Sequence, residues 1–141
     1  MSKEKQSASV SAEKAGDPSA SKALAAARAA IEKKAENVKV LDLSELSGFT
    51  DYFVICSGMS DRQVQTIAET VESTLESSGV ELLSSEGLAD GRWVLLDFGD
   101  IVVHIFLDAL REYYDLESLW SDAPRLKIPP EFYGPAASRL N

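Results

Sequence analysis

The chemically capable side chains of this chain form a short inventory: one cysteine, Cys56, one histidine, His104, and a close pair of aspartates, Asp97 and Asp100. Nucleophilic catalysis needs a base beside the nucleophile. Cys56 ends the apolar run Tyr52-Phe53-Val54-Ile55-Cys56, and His104 lies in another, Ile101-Val102-Val103-His104-Ile105-Phe106. An apolar site raises a thiol's pKa and leaves it inert. The His104 ring is expected to satisfy its hydrogen bonds inside the core or at its rim. One cysteine forms no internal disulfide, and with one histidine it makes no tetrahedral zinc site without several carboxylates. No metal or other cofactor is expected.

Asp97-Phe98-Gly99 spells the magnesium-binding tripeptide of protein kinases, but no glycine-rich loop, strand lysine or catalytic-loop signature accompanies it. Turn geometry accounts for Gly99. Asp97 and Asp100 could hold a metal between them, as paired carboxylates do in phosphoryl transfer, although a hairpin turn carries exposed aspartates anyway. Ser57-Gly58-Met59-Ser60 could offer backbone N–H groups to a phosphate. It lacks a Walker lysine and a Gly-x-Gly-x-x-Gly pattern, and Asp61 already uses the positive end of the helix dipole. A plain capped helix is the simpler reading. A nucleotide-binding or nucleotidyltransferase-type enzyme stays as the alternative function.

The elements that position these residues can be read from spacing. At 141 residues, 45% apolar and 26% charged, the chain has material for one ordinary domain. No apolar run approaches the ~18 residues of a membrane span, and no secretory signal is visible, so a cytoplasmic protein is expected. Residues 1–16 read as a flexible tail. Asp17 and Pro18 open a helix from Ser19 to about Glu36, whose thin stripe of Leu24, Ala27, Arg28, Ile31 and Ala35 suggests that it lies on the domain rather than inside it. Strands are expected at 37–46, at 52–56 in the sheet centre, and at 80–83. Between the last two, Ser60 and Gln63 form a capping box for a helix with Val64, Ile67, Ala68, Val71 and Leu75 on one face and Gly79 at its end. Glu69, Glu72 and Glu76 lie off that face, in water. A polar loop from 84 to 91 precedes a hairpin, 92–98 and 101–107, turning at Gly99-Asp100. Asp108 is expected to cap a helical stretch bearing Leu110, Tyr113, Tyr114, Leu119 and Trp120. Pro124, Pro129 and Pro130 then leave 122–141 as a Pro-rich extended tail. The sum is an α/β domain over 17–121, a mixed five-stranded sheet flanked by helices.

Charge narrows the function classes. Residues 1–36 hold seven Lys/Arg and five Asp/Glu, whereas residues 37–141 hold seven and eighteen, a net of −11. Such a domain is repelled from DNA or RNA phosphate and attracts basic partners. Solubility alone would also explain an acidic surface. Trp93, Leu95 and Asp97 share one strand face, and Tyr113, Tyr114, Leu116, Leu119 and Trp120 crowd together with Asp115, Glu117 and Asp122. Aromatic anchors among acids suit a basic protein partner, although the same aromatics could be the core of a small domain.

Four blocks then stand in a telling order: Phe49 to Gly58; Ser60-Asp61-Arg62-Gln63-Val64; Glu86-Gly87 before Gly91 to Phe106; and Arg111-Glu112-Tyr113-Tyr114-Asp115-Leu116-Glu117-Ser118-Leu119-Trp120. Over about residues 20–121 the chain resembles the Iojap family, also called ribosomal silencing factor RsfS. The resemblance implies a nucleotidyltransferase-like α/β fold without known catalysis. It also implies docking on the large ribosomal subunit through a basic ribosomal protein, the one numbered fourteen, so that bulk blocks joining of the small subunit and lowers translation. Carried over, the partner-facing residues are Trp93, Asp97, Asp100, His104, Tyr113, Tyr114, Asp115, Leu116, Leu119 and Trp120, of which Leu119 and Tyr113 are expected to turn out core. No direct DNA contact and no membrane contact are expected, and an exposed apolar patch would allow a homodimer when the protein is free.

Overall fold

Asp17 starts the first helix for the reason its side chain suggests: its Oδ1 accepts from the Ser19 N–H at 3.4 Å, and Pro18 fills the first turn, where a missing N–H costs nothing. The computed structural model describes residues 9–10 and 17–134. In it this helix, α1 (Pro18–Glu32), buries Ala20, Ala23, Ala26, Ala27 and Ala30 completely. The expectation of a helix lying on the domain is therefore corrected. Alanines bring its backbone close against the sheet, while Leu24 is half-buried and Arg28 exposed. The second helix, α2 (Asp61–Ser77), follows the capping pattern. Ser60 Oγ accepts from the Gln63 N–H at 3.1 Å, and Gln63 Oε1 accepts from the Met59 N–H at 2.7 Å. Gln63 Nε2 also donates to the Lys33 and Lys34 carbonyls, fastening α2 to the end of α1. Val64, Ile67, Ala68, Val71 and Leu75 are all buried.

Both helices pack on one face of a mixed sheet built from β1 (Ser9–Val10), β2 (Glu36–Asp42), β3 (Tyr52–Gly58), β4 (Ser84–Glu86), β5 (Trp93–Asp97), β6 (Ile101–Leu107) and β7 (Arg125–Leu126). The order is β1-β7-β2-β3-β6-β5-β4, seven strands rather than five. β3 and β6 run parallel at the centre, with Tyr52 opposite Ile101 and Gly58 opposite Leu107. β5 and β6 form the expected hairpin, and Gly99, at φ +96°, supplies the turn.

Three differences from expectation stand out, and the first two share a cause, the dominance of ladder pairing over local pattern. The strand sought at 80–83 lies at 84–86, because β5 pairs with Ser84 through Glu86. As an exposed edge it shows no apolar alternation. The Pro-rich segment is not simply extended: the Asp42 N–H donates to the Pro124 carbonyl at 2.7 Å, β7 pairs with β2, Ala123 and Leu126 are buried, and Pro130–Tyr133 forms a 3₁₀ turn. Residues 135–141, and all of 1–16 except Ser9–Val10, lie outside the described residues. Asp108 is not a cap. The position belongs to Leu107, without a side-chain bond, and Asp108 is the first residue of α3 (Asp108–Tyr114), followed by α4 (Leu116–Leu119).

Candidate functional site

Alternation along the central strands sorts side chains between two faces. Tyr52, Val54, Cys56, Val94, Leu96, Val103 and Ile105 join the core under α1 and α2. Phe53, Ile55, Val102 and Phe106 face the other way, into a smaller cluster completed by Leu41, Leu43 and Ala123, with Trp93, Leu95, Leu116 and Trp120 half-buried against it. Among the described residues, the helices on that side are the short α3 and α4. The second face is therefore partly open, and it is where the aromatic residues collect.

Ring contacts run across it without a break. Phe49 meets Phe53 at 6.3 Å and Trp120 at 6.5 Å between centroids, and Phe53 meets Trp120 at 5.9 Å. Phe53 reaches His104 at 4.5 Å, Trp93 meets Phe106 and Tyr114 at 4.8 Å each, and Tyr114 meets Tyr113 at 5.2 Å. The ends stand in solvent: Phe49 is 64% exposed and Tyr113 79%, and Leu119 on α4 is 75% exposed. Tyr113 and Leu119 are thus not core, contrary to expectation. A turn back at Asp115 leaves them on the outside of two short helices.

Trp93 is held from two sides. Its Nε1–H donates to His104 Nδ1 at 3.1 Å. His104 is 3% exposed, and burial pushes its pKa down to about 4, so at neutral pH the ring is uncharged with its proton on Nε2. That Nε2 has no hydrogen-bond partner among the described residues. Behind Trp93, Gly87 runs at φ +87°, and a Cβ there would sit 2.0 Å from the Trp93 carbonyl oxygen. Only glycine fits.

The other expected residues divide. Tyr114 and Asp115 are exposed on this side, and Asp97 is half-buried with its Oδ1 accepting from the Gly99 N–H at 2.8 Å. Asp100 instead turns toward α1, accepting from Ser19 Oγ at 2.8 Å and pairing with Lys22 at 3.0 Å. Burial raises its pKa, but those bonds overcome the rise and leave it below the ordinary value. The two aspartates are not brought together. Cys56 is fully buried under the helices, its thiol pushed up to about 12 by burial, and His104 lies on the opposite face. No three His, Cys, Asp or Glu among the described residues are placed to hold a metal. No described helix is long and apolar enough to cross a membrane.

Sequence reasoning missed two features. Phe49 was readable as a bulky aromatic stranded in a polar loop. Arg111, 6% exposed, was not. Its Nε and Nη2 donate to Glu117 Oε1 and Oε2 at 3.0 and 3.2 Å, and Lys39 Nζ donates to Glu117 Oε2 at 2.9 Å. Partial burial pushes the Glu117 carboxyl up, yet the bonds and charges of Arg111 and Lys39 prevail and hold it at about 2.

Comparison with known proteins places this geometry. Residues 16–139 match the model of the family described as "Ribosomal silencing factor during starvation", RsfS. The ribosomal silencing factor RsfS of Bacillus subtilis is 46% identical over 99 residues, 70% of this chain and 84% of that one. Chloroplastic protein Iojap of Zea mays is 35% identical over 107 residues, 76% of this chain and 46% of that one. A mouse protein named "Mitochondrial assembly of ribosomal large subunit protein 1" is 31% identical over 93 residues, 64% of this chain and 41% of that one. A crystal structure of a Chromobacterium violaceum protein superposes with a TM-score of 0.70 at 39% identity, covering 72% of this chain and 84% of that one.

Proposed function

Because the chain belongs to the ribosomal silencing factor family RsfS, we propose that it docks on the large ribosomal subunit and represses translation by occupying the surface where the small subunit would join. The partner is a basic ribosomal protein, the one numbered fourteen. Trp93, Tyr113, Tyr114, Leu116, Leu119 and Trp120 serve as anchors with Phe49, Asp97 and Asp115 supply an acidic rim, and His104 orients Trp93 from below. Asp100, turned toward α1 and paired with Lys22, holds the turn beside Asp97 rather than touching the partner.

One observation carries the reading: an unbroken run of rings with solvent-exposed ends, on a part of the chain whose net charge is −11. Exposed apolar patches of this kind mark interaction surfaces, and acids around them steer toward a basic surface. The names of the relatives point to the ribosome, and that of the mouse protein to its large subunit. Steric exclusion asks for no turnover, so the protein acts without being an enzyme. In the absence of the ribosome the same patch supports a homodimer.

The test is a gradient with purified large subunits, followed by light scattering as small subunits are added. Co-sedimentation and a reduced scattering rise are expected, both lost in a folded Trp93→Ala, Trp120→Ala, Asp97→Lys triple variant. A triple variant that still sediments overturns the site, and wild-type protein left at the top of the gradient overturns the function.

A further inference from the structure

The far wall of the aromatic face is made by an element with little to hold it. α4 is four residues long, has no side-chain cap and buries none of its residues fully, yet it carries Leu116 and Leu119 and leads into Trp120. A helix this short has no stability of its own. We propose that Arg111, Glu117 and Lys39 form a clasp that positions the Leu116–Trp120 wall for docking without themselves touching the partner. The inference rests on the docking reading above.

The geometry is that of a fork closed on both sides. Arg111 Nη1 donates to the Asn37 carbonyl on β2 at 2.8 Å and to Ser57 Oγ on β3 at 3.0 Å, which ties the guanidinium to the sheet. Its other edge meets both Glu117 oxygens, a planar bidentate arrangement that fixes orientation as well as distance. Asp115, at φ 49° and ψ 46°, folds the chain back so that a residue six positions on returns to Arg111. Lys39 closes the clasp from β2. Residues 37–141 hold seven Lys/Arg against eighteen Asp/Glu, and two of those cations are committed to one carboxylate beneath the face. A partly buried ion pair is a poor way to gain stability but can fix a register. Glu117 is also ill suited to touch a basic partner, because Arg111 and Lys39 already occupy both its oxygens.

Positioning and direct contact give different salt behaviour. An acid that touches a basic partner takes part of the salt dependence with it when removed. A positioning acid lowers affinity and alters that dependence no more than the loss of one distant surface charge does. Full-length Glu117→Gln, checked for fold by circular dichroism, is titrated with purified large subunits at several salt concentrations beside wild type and Glu76→Gln. Its Trp120 emission is recorded without ribosomes in a Trp93→Phe background. The clasp predicts affinity at least tenfold weaker for Glu117→Gln than for Glu76→Gln at every salt, with the salt slope of Glu76→Gln, and a red-shifted Trp120 emission. Lys39→Gln leaves Arg111 paired and serves where Glu117→Gln does not fold; it should show the same pattern more weakly. The affinity of Glu76→Gln, or a loss of slope beyond that of Glu76→Gln together with affinity, overturns the proposal. If wild type itself does not bind the subunits, the docking reading fails separately, and an unshifted Trp120 emission then overturns the clasp.

Discussion

Burial holds the His104 ring neutral down to about pH 4, whereas the unfolded chain protonates it near 6.5. Protons therefore favour the unfolded state between those values. The stability contributed by a neutral His104 is complete above about 6.5, falls as the pH drops, and is exhausted below about 4. Calorimetry of wild type and His104→Gln from pH 7.5 to 4.5 should show the wild-type advantage shrinking by up to ~3 kcal/mol, since a tenfold change in proton affinity is worth about 1.4 kcal/mol. Parallel pH profiles would refute this. Glu117 titrates in a separate window: its contribution is full above about 4.5 and is lost as the pH falls toward about 2. Cys56, with its thiol pushed up to about 12 by burial, should resist iodoacetamide at pH 8 in the native protein and react once it is denatured. Rapid native labelling would show that β3 opens readily. The inertness of Cys56 was legible from its apolar neighbours alone, whereas the bond between Trp93 and His104 joins residues whose pairing depends on the hairpin register.

Among the elements, α1 is the most misleading on paper and the most constrained in the fold. Alanines add little to an apolar stripe, so the pattern of Leu24, Ala27, Arg28, Ile31 and Ala35 looks thin, yet Ala20, Ala23, Ala26 and Ala30 are wholly buried beside Ala27 in the core. Ala27→Leu should overpack that contact and cost about 1–3 kcal/mol, read as a lower Tm in thermal melts. An unchanged Tm would mean that α1 can lift from the sheet. The helix α2 was legible throughout, because its period, cap and terminal glycine agree. β4 and β7 were not, because edge strands chosen by a neighbour's free hydrogen bonds carry no signal of their own. The aromatic face was legible in part: alternation placed Trp93, and sheer density placed Tyr113 to Trp120. The clasp was beyond sequence, since Arg111 finds Asn37 and Ser57 only after the sheet has formed. Gly87 links these scales. Its Cβ would strike the backbone that presents Trp93, so Gly87→Ala should destabilise by about 1–3 kcal/mol from backbone strain alone and weaken docking beyond what the lost stability explains.

Taken whole, the molecule has two unlike sides, and they should fail differently. The side formed by α2 carries Glu69, Glu72 and Glu76 in or near solvent, and α2 itself holds no aromatic residue. The other carries the ring network. Charges that act at a distance change how often partners meet, whereas desolvated anchors change how long they stay. Replacing Glu69, Glu72 and Glu76 by Gln should therefore slow association with large subunits severalfold at low salt, with the difference vanishing as salt rises, and leave dissociation unchanged. Replacing Phe49 and Leu119 by Ala should do the reverse: association stays within about twofold while dissociation quickens at least tenfold, which corresponds to about 1.4 kcal/mol or more. Surface-immobilised subunits probed with both variants at two ionic strengths separate the two effects. Faster dissociation in the α2 variant would move the contact surface to the helical side, and an unaltered Phe49, Leu119 variant would remove these two exposed side chains from the interface.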